Sequence, residues 1–292
     1  MSRVLHDDEL AIDLRLVRRL VDGLDDTYAD LPLTPLAASG SSNALFRLGE
    51  DLVVRLPRQP GGSESIAKEA RWAGVLAPAL PVAVPHVVHV GAPSAGYPEL
   101  WSVVRWLPGD VPDVVDRPAG RPALADDLSA LIGALNAADV PTEATTDPAL
   151  HWYRCDPVQR LDADVRTALE ACRDLPGLDL DLPRAERIWD DALRIPAPPP
   201  VTRWLHADLV AENLLVREGR LAAVLDFGGL AVGDPSVDLV AAWELFDTGD
   251  RERLRTTVAV DDTTGLNARA WALAMGAVHV PVLLDHDAAP LC

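Results

Sequence analysis

The sequence predicts an α+β fold with two lobes, a small and mainly β N-terminal lobe and a larger, mainly helical C-terminal lobe. Short apolar runs bounded by Gly, Pro or Ser are concentrated before residue 108, as is typical of strands. Apolar residues at spacings of three and four dominate after residue 121, which indicates amphipathic helices. With 49% hydrophobic residues among 292, the chain can bury a substantial core. We therefore divide it into residues 1–107 and 108–292.

The N-terminal lobe is predicted to open with an amphipathic helix over about 7–22. The runs "ALFRL" and "DLVVRL" then indicate a hairpin over about 34–57. A helix follows in "GGSESIAKEARWAGVL", with Ser63 as a candidate N-cap and Pro78 closing it. The segments "PHVVHVG" and "LWSVVRWL" are expected to be further strands.

The C-terminal lobe is predicted to be helical in "ALADDLSALIGALNAA", "DADVRTALEACRDL" and "PRAERIWDDALRI". The Pro-rich stretch "PAPPP" is a stiff connector. A strand pair is expected in "LLVREGRLAAVLDF", and further helices in "PSVDLVAAWELF" and "LNARAWALAMGAV". A cleft between the two lobes is the expected location of a site.

Charge and composition restrict the class of partner. The net charge of −19 and the isoelectric point near 4.6 argue against a nucleic acid or an acidic membrane, and they would attract a cationic ligand. The alternative is that the acidity reflects solubility, or a high-salt or high-GC lifestyle. No run of about 18 apolar residues and no signal-peptide pattern occurs, so a cytoplasmic location is expected. The three cysteines show no metal-binding spacing and are interpreted as free thiols.

Polar residues with a distinctive spacing lie between two apolar runs in "WLHADLVAENLLV". His206, Asp208 and Asn213 are followed, thirteen residues after Asn213, by Asp226 in "LDFGG". Phosphoryl transfer uses a carboxylate that accepts the proton of an attacking hydroxyl, and oxygen ligands for the magnesium on the nucleotide phosphates. Asp208 is the candidate base, and Asn213 and Asp226 are candidate Mg²⁺ ligands. A turn also favours Asp and Asn, so each residue alone is a weak signal.

The stretch "HADLVAENLLVREGRLAAVLDFGGLAVGDPSVDL" resembles the signature of the aminoglycoside phosphotransferase family. The segments "SGSSNALFRLGEDLVVRLPR", "WSVVRWLPGD" and "ARAWALA" follow the order of that family, so the resemblance extends from about 33 to 280. It implies a protein-kinase-like two-lobed fold, with nucleotide binding in the N-lobe and the catalytic loop and acceptor site in the C-lobe.

The resemblance also implies the reaction. The expected activity is transfer of the γ-phosphoryl group of ATP or GTP, with Mg²⁺, to a hydroxyl of a small molecule, such as an aminoglycoside or another antibiotic, with a role in antibiotic resistance. A kinase of a small metabolite of the sugar, choline or homoserine type is an alternative. A kinase-fold module that binds nucleotide without transferring phosphate is another. A metal-dependent hydrolase using His206 and Asp208 is a third, but no further His/Asp cluster supports it.

A charged pair in the N-terminal lobe supports nucleotide binding. Arg55 lies inside the strand "LVVRL", and Glu69 shares a helical stripe with apolar residues. A carboxylate on an apolar stripe needs a partner, and Arg55 is the natural one. The pair would present a cation to the α and β phosphates, with Arg where Lys is more familiar. A purely structural ion pair is the alternative.

Two further segments are assigned to the nucleotide. The turn "SGSSN" would cover the phosphates with backbone N–H groups and hydroxyls, although the same residues suit any hairpin turn. Its candidate contacts are Gly40, Ser41, Ser42 and Asn43. In the strand "WSVVRWLPGD", the candidate hinge contacts to the base are Val104, Arg105 and Leu107.

The remaining candidates support the catalytic loop. His206 is expected to brace the loop by hydrogen bonding, or to be a turn residue only. Ala207 stands where protein kinases carry Arg, which favours a small-molecule kinase over a regulated protein kinase. Asp234 is a candidate N-cap, and Asp234 and Asp238 are expected to support the loop. Acidic candidates for contacts to a cationic acceptor, each also explained as a solvated surface charge, are Asp156, Asp162, Asp164, Glu244, Asp247, Asp250, Asp261 and Asp262.

Overall fold

The computed structural model describes residues 9–36, 42–114, 120–173, 175, 180–195 and 201–285, with the backbone alone for 277–285. The strands are β1 Leu33–Pro35, β2 Asn43–Leu48, β3 Leu52–Pro57, β4 Val87–Gly91, β5 Trp101–Arg105, β6 Trp204–Leu205, β7 Leu214–Arg217, β8 Arg220–Val224 and β9 Ala231–Val232. The helices are α1 Leu14–Asp22, α2 Asp26–Ala29, α3 Ser63–Leu76, α4 Pro122–Ala137, α5 Thr142–Thr145, α6 Asp162–Arg173, α7 Leu182–Leu193, α8 Ala241–Leu245, α9 Thr248–Val258 and α10 Asp262–Asp285. The predicted α+β class is confirmed.

Contacts within the chain define two compact units. Unit 1 comprises Met1–Pro112 and Ala211–Leu230, and unit 2 comprises Asp113–Val210 and Ala231–Cys292. This grouping differs from the predicted division after residue 107, because a segment from the second half of the chain belongs to unit 1. The Pro-rich connector predicted at 196–200 lies outside the described residues.

Unit 1 is built on a five-stranded antiparallel sheet with the strand order β1-β2-β3-β5-β4. Burial alternates along β2, as expected for a strand with one face on a core. Gly49 forms the predicted β2–β3 turn with a φ of 61°, a conformation that favours glycine. The helix predicted over about 7–22 begins at Leu14 within the described residues, where the Asp13 carboxylate caps it by accepting from the Leu16 N–H at 2.7 Å.

The helix α3 carries Glu69 and buries its apolar stripe in unit 1. The prediction of Ser63 as its N-cap is wrong, since Gly62 occupies that position and makes no side-chain capping bond. Ser63 is instead the first helical residue. Its N–H donates to Glu99 Oε2 at 2.9 Å, and its hydroxyl oxygen accepts from the Leu100 N–H at 2.8 Å. Glu99 also accepts from the Ser63 hydroxyl and, at 2.9 Å, from the Gly61 N–H. These hydrogen bonds lower the pKa of Glu99, and the bond from the Ser63 hydroxyl has the largest effect.

The predicted strand pair near residue 220 is the hairpin β7–β8, with Leu214 opposite Val224. It belongs to unit 1 through two backbone bridges. Val216 and Asp110 exchange hydrogen bonds of 2.8 and 3.0 Å, and Ala83 pairs with Ala223. These bonds explain why the hairpin is grouped with the N-terminal sheet.

Unit 2 is mainly helical around the short ribbon β6–β9. Helices α6, α7 and α10 pack together, with Trp189 and Trp271 fully buried in their core. The segment "PSVDLVAAWELF", predicted as one helix, is a 3₁₀ segment over Pro235–Val240 followed by α8. Among the described residues, no helix combines the length and apolarity needed to cross a bilayer.

Candidate functional site

The predicted ion pair between Arg55 and Glu69 is present in unit 1. Arg55 Nη1 donates to Glu69 Oε1 at 2.5 Å, and Arg55 Nη2 lies 3.4 Å from Asp226 Oδ1. Arg55 and Glu69 are buried, whereas the Asp226 side chain is partly exposed. Burial by itself would lower the pKa of Arg55, but the charges of Glu69 and then Asp226 outweigh it and raise the pKa. The result is a permanently charged guanidinium held between two carboxylates.

The segment after β8 is fixed against α3. The second carboxylate oxygen of Glu69 accepts from the Phe227 N–H at 2.9 Å. Asp226 adopts a left-handed conformation, with φ 58° and ψ 68°, and accepts from the Gly228 N–H at 3.2 Å. A Cβ at Gly228 would lie 2.9 Å from both Ser65 Cβ and Asp226 Oδ1, so this close approach requires glycine.

Asn213 and Asp226 lie at the same end of the β7–β8 hairpin. Asn213 directly precedes β7, and Leu225 directly follows β8 and donates its N–H to the Asn213 carbonyl at 2.7 Å. The pairing thus brings together two candidate ligands that are thirteen residues apart in sequence. Their amide and carboxylate oxygens are hard donors, which is the chemistry that Mg²⁺ prefers, so the donor set fits the ion.

The predicted contacts to the nucleotide are only partly within the described residues. Gly40 and Ser41 lie outside them. Ser42 accepts from the Arg58 N–H at 2.9 Å, and Asn43 begins β2 opposite Pro57.

The hinge candidates lie at and beyond the end of β5. Val104 is buried opposite Val53 of β3. The Arg105 N–H donates to the His86 carbonyl at 3.0 Å, which leaves the Arg105 carbonyl as the backbone group of this residue for the predicted hinge contact. Trp106, just beyond β5, is exposed, and the Arg47 guanidinium stacks on its ring at 3.8 Å from the ring centroid. Leu107 follows in the segment that leaves the sheet.

The loop with the candidate base follows β6 in unit 2. His206 and Ala207 are fully buried, whereas the Asp208 side chain is one-third exposed. Ala207 has a φ of 63°, an uncommon conformation for a residue with a side chain. The loop therefore delivers Asp208 to the surface of the unit from a strained and buried peptide.

Asp238 holds this loop through its backbone. One carboxylate oxygen accepts from the His206 N–H at 2.8 Å, and the other accepts from the Ala207 N–H at 2.7 Å. Burial raises the pKa of Asp238 to about 6, against the opposing effects of His206 and the two amide bonds. Asp234 caps the following 3₁₀ segment, as predicted, by accepting from the Ser236 N–H at 3.0 Å. Burial raises its pKa as well.

Sequence reasoning missed Arg154, which lies in a 3₁₀ turn of unit 2. Its guanidinium is buried and forms an ion pair with the Asp208 carboxylate. Nη1 also donates to the Ala207 carbonyl at 2.8 Å. The pair joins residues 54 positions apart, so spacing could not reveal it. The available signal was a cation set directly after two aromatic residues in "HWYRC".

Many of the acidic acceptor candidates have local partners in unit 2. Asp247 caps α9, and Asp261 accepts from the Thr264 N–H at 2.7 Å. The others with described partners pair as follows: Asp156 with Arg160, Asp162 with Arg166 and Trp189, Asp250 with the Arg121 N–H, and Asp262 with Arg255. These contacts give the acidic residues structural roles without any ligand.

Comparisons with known proteins agree with this architecture. A family model described as the phosphotransferase enzyme family matches residues 33–273. The GDP complex of wild-type aminoglycoside 2′-phosphotransferase-IIIa is similar over 93% of this chain and 92% of that one, with a TM-score of 0.70 and 21% identity. The GDP and kanamycin complex of APH(2″)-IIIa is similar over 94% of this chain and 92% of that one, with a TM-score of 0.69 and 20% identity.

A third similar structure is the apoenzyme of macrolide 2′-phosphotransferase MphH from Brachybacterium faecium. It covers 93% of this chain and 99% of that one, with a TM-score of 0.61 and 22% identity. No curated protein sequence matches the chain. At these identities the structural matches establish a shared fold, and the predicted kinase-like fold is confirmed.

Proposed function

The chain belongs to the phosphotransferase enzyme family, and we propose that it transfers the γ-phosphoryl group of ATP or GTP to a hydroxyl of a small cationic molecule such as an aminoglycoside. The observation that carries this proposal is the buried Arg55 guanidinium held between Glu69 and Asp226. A phosphate-binding cation fixed by a helix carboxylate, beside a carboxylate suited to magnesium, is the arrangement that phosphoryl transfer requires.

The nucleotide would bind in unit 1. Arg55 would contact the α and β phosphates, and the turn from Gly40 through Ser41 and Ser42 to Asn43 would cover them. Val104 would line the base pocket, with backbone groups of Arg105 and Leu107 pairing with the base. The structural neighbours crystallised with GDP support a nucleotide donor, and both ATP and GTP are tested below.

Magnesium would be held by the side-chain oxygens of Asn213 and Asp226, together with phosphate oxygens of the nucleotide. When bound, the ion neutralises charge on the phosphates. Arg55, 3.4 Å from Asp226, would hold that carboxylate in place. The same guanidinium would thus orient both the phosphates and one of the metal ligands.

Asp208 would act as the base in the transfer step. The acceptor hydroxyl oxygen forms a bond to the γ phosphorus while its proton passes to the Asp208 carboxylate. The bond between the γ phosphorus and the β–γ bridging oxygen breaks, and its electron pair leaves with the nucleoside diphosphate. His206 and Asp238 would position the loop that carries Asp208, since Asp238 binds its backbone at two consecutive residues.

A cationic acceptor is supported by long-range electrostatics. The chain carries a net charge of −19, which raises the local concentration of a cation and so favours its association. One structural neighbour was solved with kanamycin and another with gentamicin, whereas a third is a macrolide 2′-phosphotransferase. Phosphorylation of such an acceptor would inactivate an antibiotic, which is the role in resistance that we propose.

The test is a transfer assay read by mass spectrometry. Purified protein with Mg²⁺ and ATP or GTP is incubated with kanamycin, gentamicin, streptomycin, a macrolide, choline, homoserine and a hexose. We expect one phosphoryl group to be added to an aminoglycoside, and Asp208→Asn to lower kcat by about 10²–10⁴-fold.

The matched control is Asp191→Asn. This change removes an exposed carboxylate of α7 that pairs with Arg194, just beyond the helix, and it should leave kcat unchanged. Transfer only to choline, homoserine or the hexose would replace the proposed acceptor with a metabolite. Nucleotide binding without transfer to any acceptor would identify a binding module and contradict the proposed reaction.

A further inference from the structure

Arg154 is a buried cation whose partners belong to the loop that carries Asp208. Only 9% of its surface is exposed, so the guanidinium has exchanged water for protein contacts. These contacts are the Asp208 carboxylate, the Ala207 carbonyl at 2.8 Å and the Tyr153 hydroxyl at 2.9 Å. Burial alone would lower the pKa of Arg154, but the Asp208 charge and the Tyr153 side chain outweigh it and raise the pKa. The side chain is therefore charged.

The contacts of Arg154 fall on two successive residues of the loop. Both bonds come from Nη1, whose two N–H groups lie at a fixed angle in the plane of the guanidinium, so binding the carbonyl and the next carboxylate together fixes one group relative to the other. The carboxylate of Asp208 is thereby restricted to a narrow range of side-chain torsions, although one-third of that side chain remains exposed to solvent. A base that must meet a hydroxyl at hydrogen-bond distance benefits from this restriction.

The same contacts hold the strained Ala207 peptide from its other side. Asp238 binds the Ala207 N–H at 2.7 Å, and Arg154 binds the Ala207 carbonyl. A residue with a side chain at a φ of 63° persists only where its surroundings impose that conformation. Asp238 and Arg154 supply that constraint from opposite ends of one residue, immediately before Asp208.

The turn that carries Arg154 is itself fixed within unit 2. The Trp152 N–H donates to Cys155 Sγ at 3.2 Å, which closes the turn. A Cβ at Gly233 would lie 2.7 Å from Cys155 Cβ, so the turn packs closely on the residue that follows β9. Because β9 pairs with β6, and β6 leads directly into His206, the turn and the loop share one support.

We propose that Arg154 is a positioning residue for the candidate base, and that it holds the Asp208 carboxylate and the Ala207 carbonyl in the orientation needed for phosphoryl transfer. This inference rests on the proposed function, in which Asp208 accepts the proton of the acceptor. It adds a group that acts through Asp208, without contact of its own with the reacting atoms. The helical part of unit 2 thus contributes to the chemistry of the loop as well as to its support.

The experiment measures kcat and the KM for nucleotide of Arg154→Ala and Arg154→Lys, on the acceptor that the wild-type protein phosphorylates in the panel above. We expect Arg154→Ala to lower kcat per folded molecule by about 100-fold, because displacement of a reacting group by about 1 Å has an effect of this size. The KM for nucleotide should change less than about threefold, since the described partners of Arg154, namely Asp208, Ala207 and Tyr153, are not among the proposed nucleotide contacts.

Rescue separates positioning from a structural role. Arg154→Lys restores a cation, and guanidinium chloride at millimolar concentration supplies the missing group to Arg154→Ala. In each case kcat should be at least tenfold higher than that of Arg154→Ala alone. The matched control is Arg160→Ala, which removes an exposed guanidinium of the same segment, paired only with Asp156 among the described contacts, and should leave kcat unchanged.

Three outcomes would overturn the proposal. They are a kcat of Arg154→Ala within threefold of wild type, a higher kcat that would indicate an inhibitory contact, and a loss that neither Arg154→Lys nor guanidinium reduces.

The proposed function can fail independently of this inference. If the wild-type protein phosphorylates no acceptor, the proposed function is wrong. Thermal unfolding of Arg154→Gln, Asp208→Asn and the double variant then tests the pair alone. Non-additive shifts in Tm support the coupling of the two side chains, and additive shifts overturn it.

Discussion

Each unit holds a cluster of buried charges, and the two clusters are built in different ways. In unit 1 the Arg55 guanidinium lies between the side chains of Glu69 and Asp226, so charge is balanced by charge. In unit 2 the buried Asp238 carboxylate is bound by the backbone N–H groups of His206 and Ala207. The first cluster fixes side chains relative to each other, and the second fixes the course of the backbone. The first arrangement suits the role that we propose for Arg55 as a cation for the phosphates, and the second suits a loop that presents the proposed base.

This difference predicts different responses to the loss of a carboxylate. Removing Glu69 leaves a buried guanidinium whose remaining carboxylate partner among the described residues is the more distant Asp226, and it removes the Glu69 acceptor of the Phe227 N–H. We expect Glu69→Ala to lower the free energy of unfolding by about 3–5 kcal/mol, measured by urea denaturation. Glu64→Ala, an exposed change in the first turn of the same helix, should stay within about 0.5 kcal/mol of wild type.

A double variant shows whether the pair serves stability or nucleotide binding. Arg55→Met with Glu69→Leu replaces both charges by apolar groups of similar size, which recovers part of the stability lost in Glu69→Ala. Nucleotide affinity, measured by isothermal titration, should not recover, because the cation that we propose for the phosphates, Arg55, is missing from this variant. A loss below about 1 kcal/mol in Glu69→Ala would contradict the charge-balanced description of unit 1, since Asp226 would then suffice.

The backbone-bound cluster of unit 2 predicts a dependence on pH. The pKa of Asp238 is about 6 in the folded protein, above the value near 4 of an unfolded Asp, because burial disfavours its charge. The folded state therefore binds this proton more tightly than the unfolded state. The associated stability is present below pH 4 and is lost as pH rises through 6.

Asp238→Asn has no such titration. We compare the free energy of unfolding of wild type with that of Asp238→Asn at each pH. The value for wild type minus the value for Asp238→Asn should be about 2 kcal/mol larger at pH 4 than at pH 8. Urea denaturation of both proteins across this range measures the difference, in which the titrations common to both cancel. Parallel profiles would show that Asp238 does not titrate in this range, and that burial has not raised its pKa.

The two clusters also differ in how far the sequence reveals them. Arg55 and Glu69 each interrupt an apolar pattern, in a strand and on a helix stripe, so residue identity alone indicates that they need each other. The hairpin β7–β8 was equally predictable from its apolar runs and its Gly219 turn, and it brings Asn213 near Asp226.

The cluster in unit 2 was only partly predictable. Every residue except proline carries a backbone N–H, so nothing in the sequence marks His206 and Ala207 as the donors to Asp238. Arg154 reaches Asp208 from 54 residues away through packing of a short turn, which no local pattern encodes. The N-cap prediction at Ser63 failed for a related reason. Its hydroxyl is engaged by Glu99 and Leu100, two residues distant in sequence that tertiary structure brings to the helix end.

The smallest expected effect concerns Ala207, where the backbone of unit 2 is strained. A left-handed conformation costs a residue with a side chain about 1–2 kcal/mol, and glycine avoids this cost but gains about 0.4–1 kcal/mol of freedom in the unfolded chain. Ala207→Gly should therefore raise the free energy of unfolding by about 0.5–1 kcal/mol. Ala125→Gly, at the buried fourth residue of α4, should lower it by up to about 1 kcal/mol, because no strain is relieved there. Destabilisation by Ala207→Gly would mean that the contacts of Asp238 and Arg154 already offset the strain at this residue, and that its side chain is needed for packing.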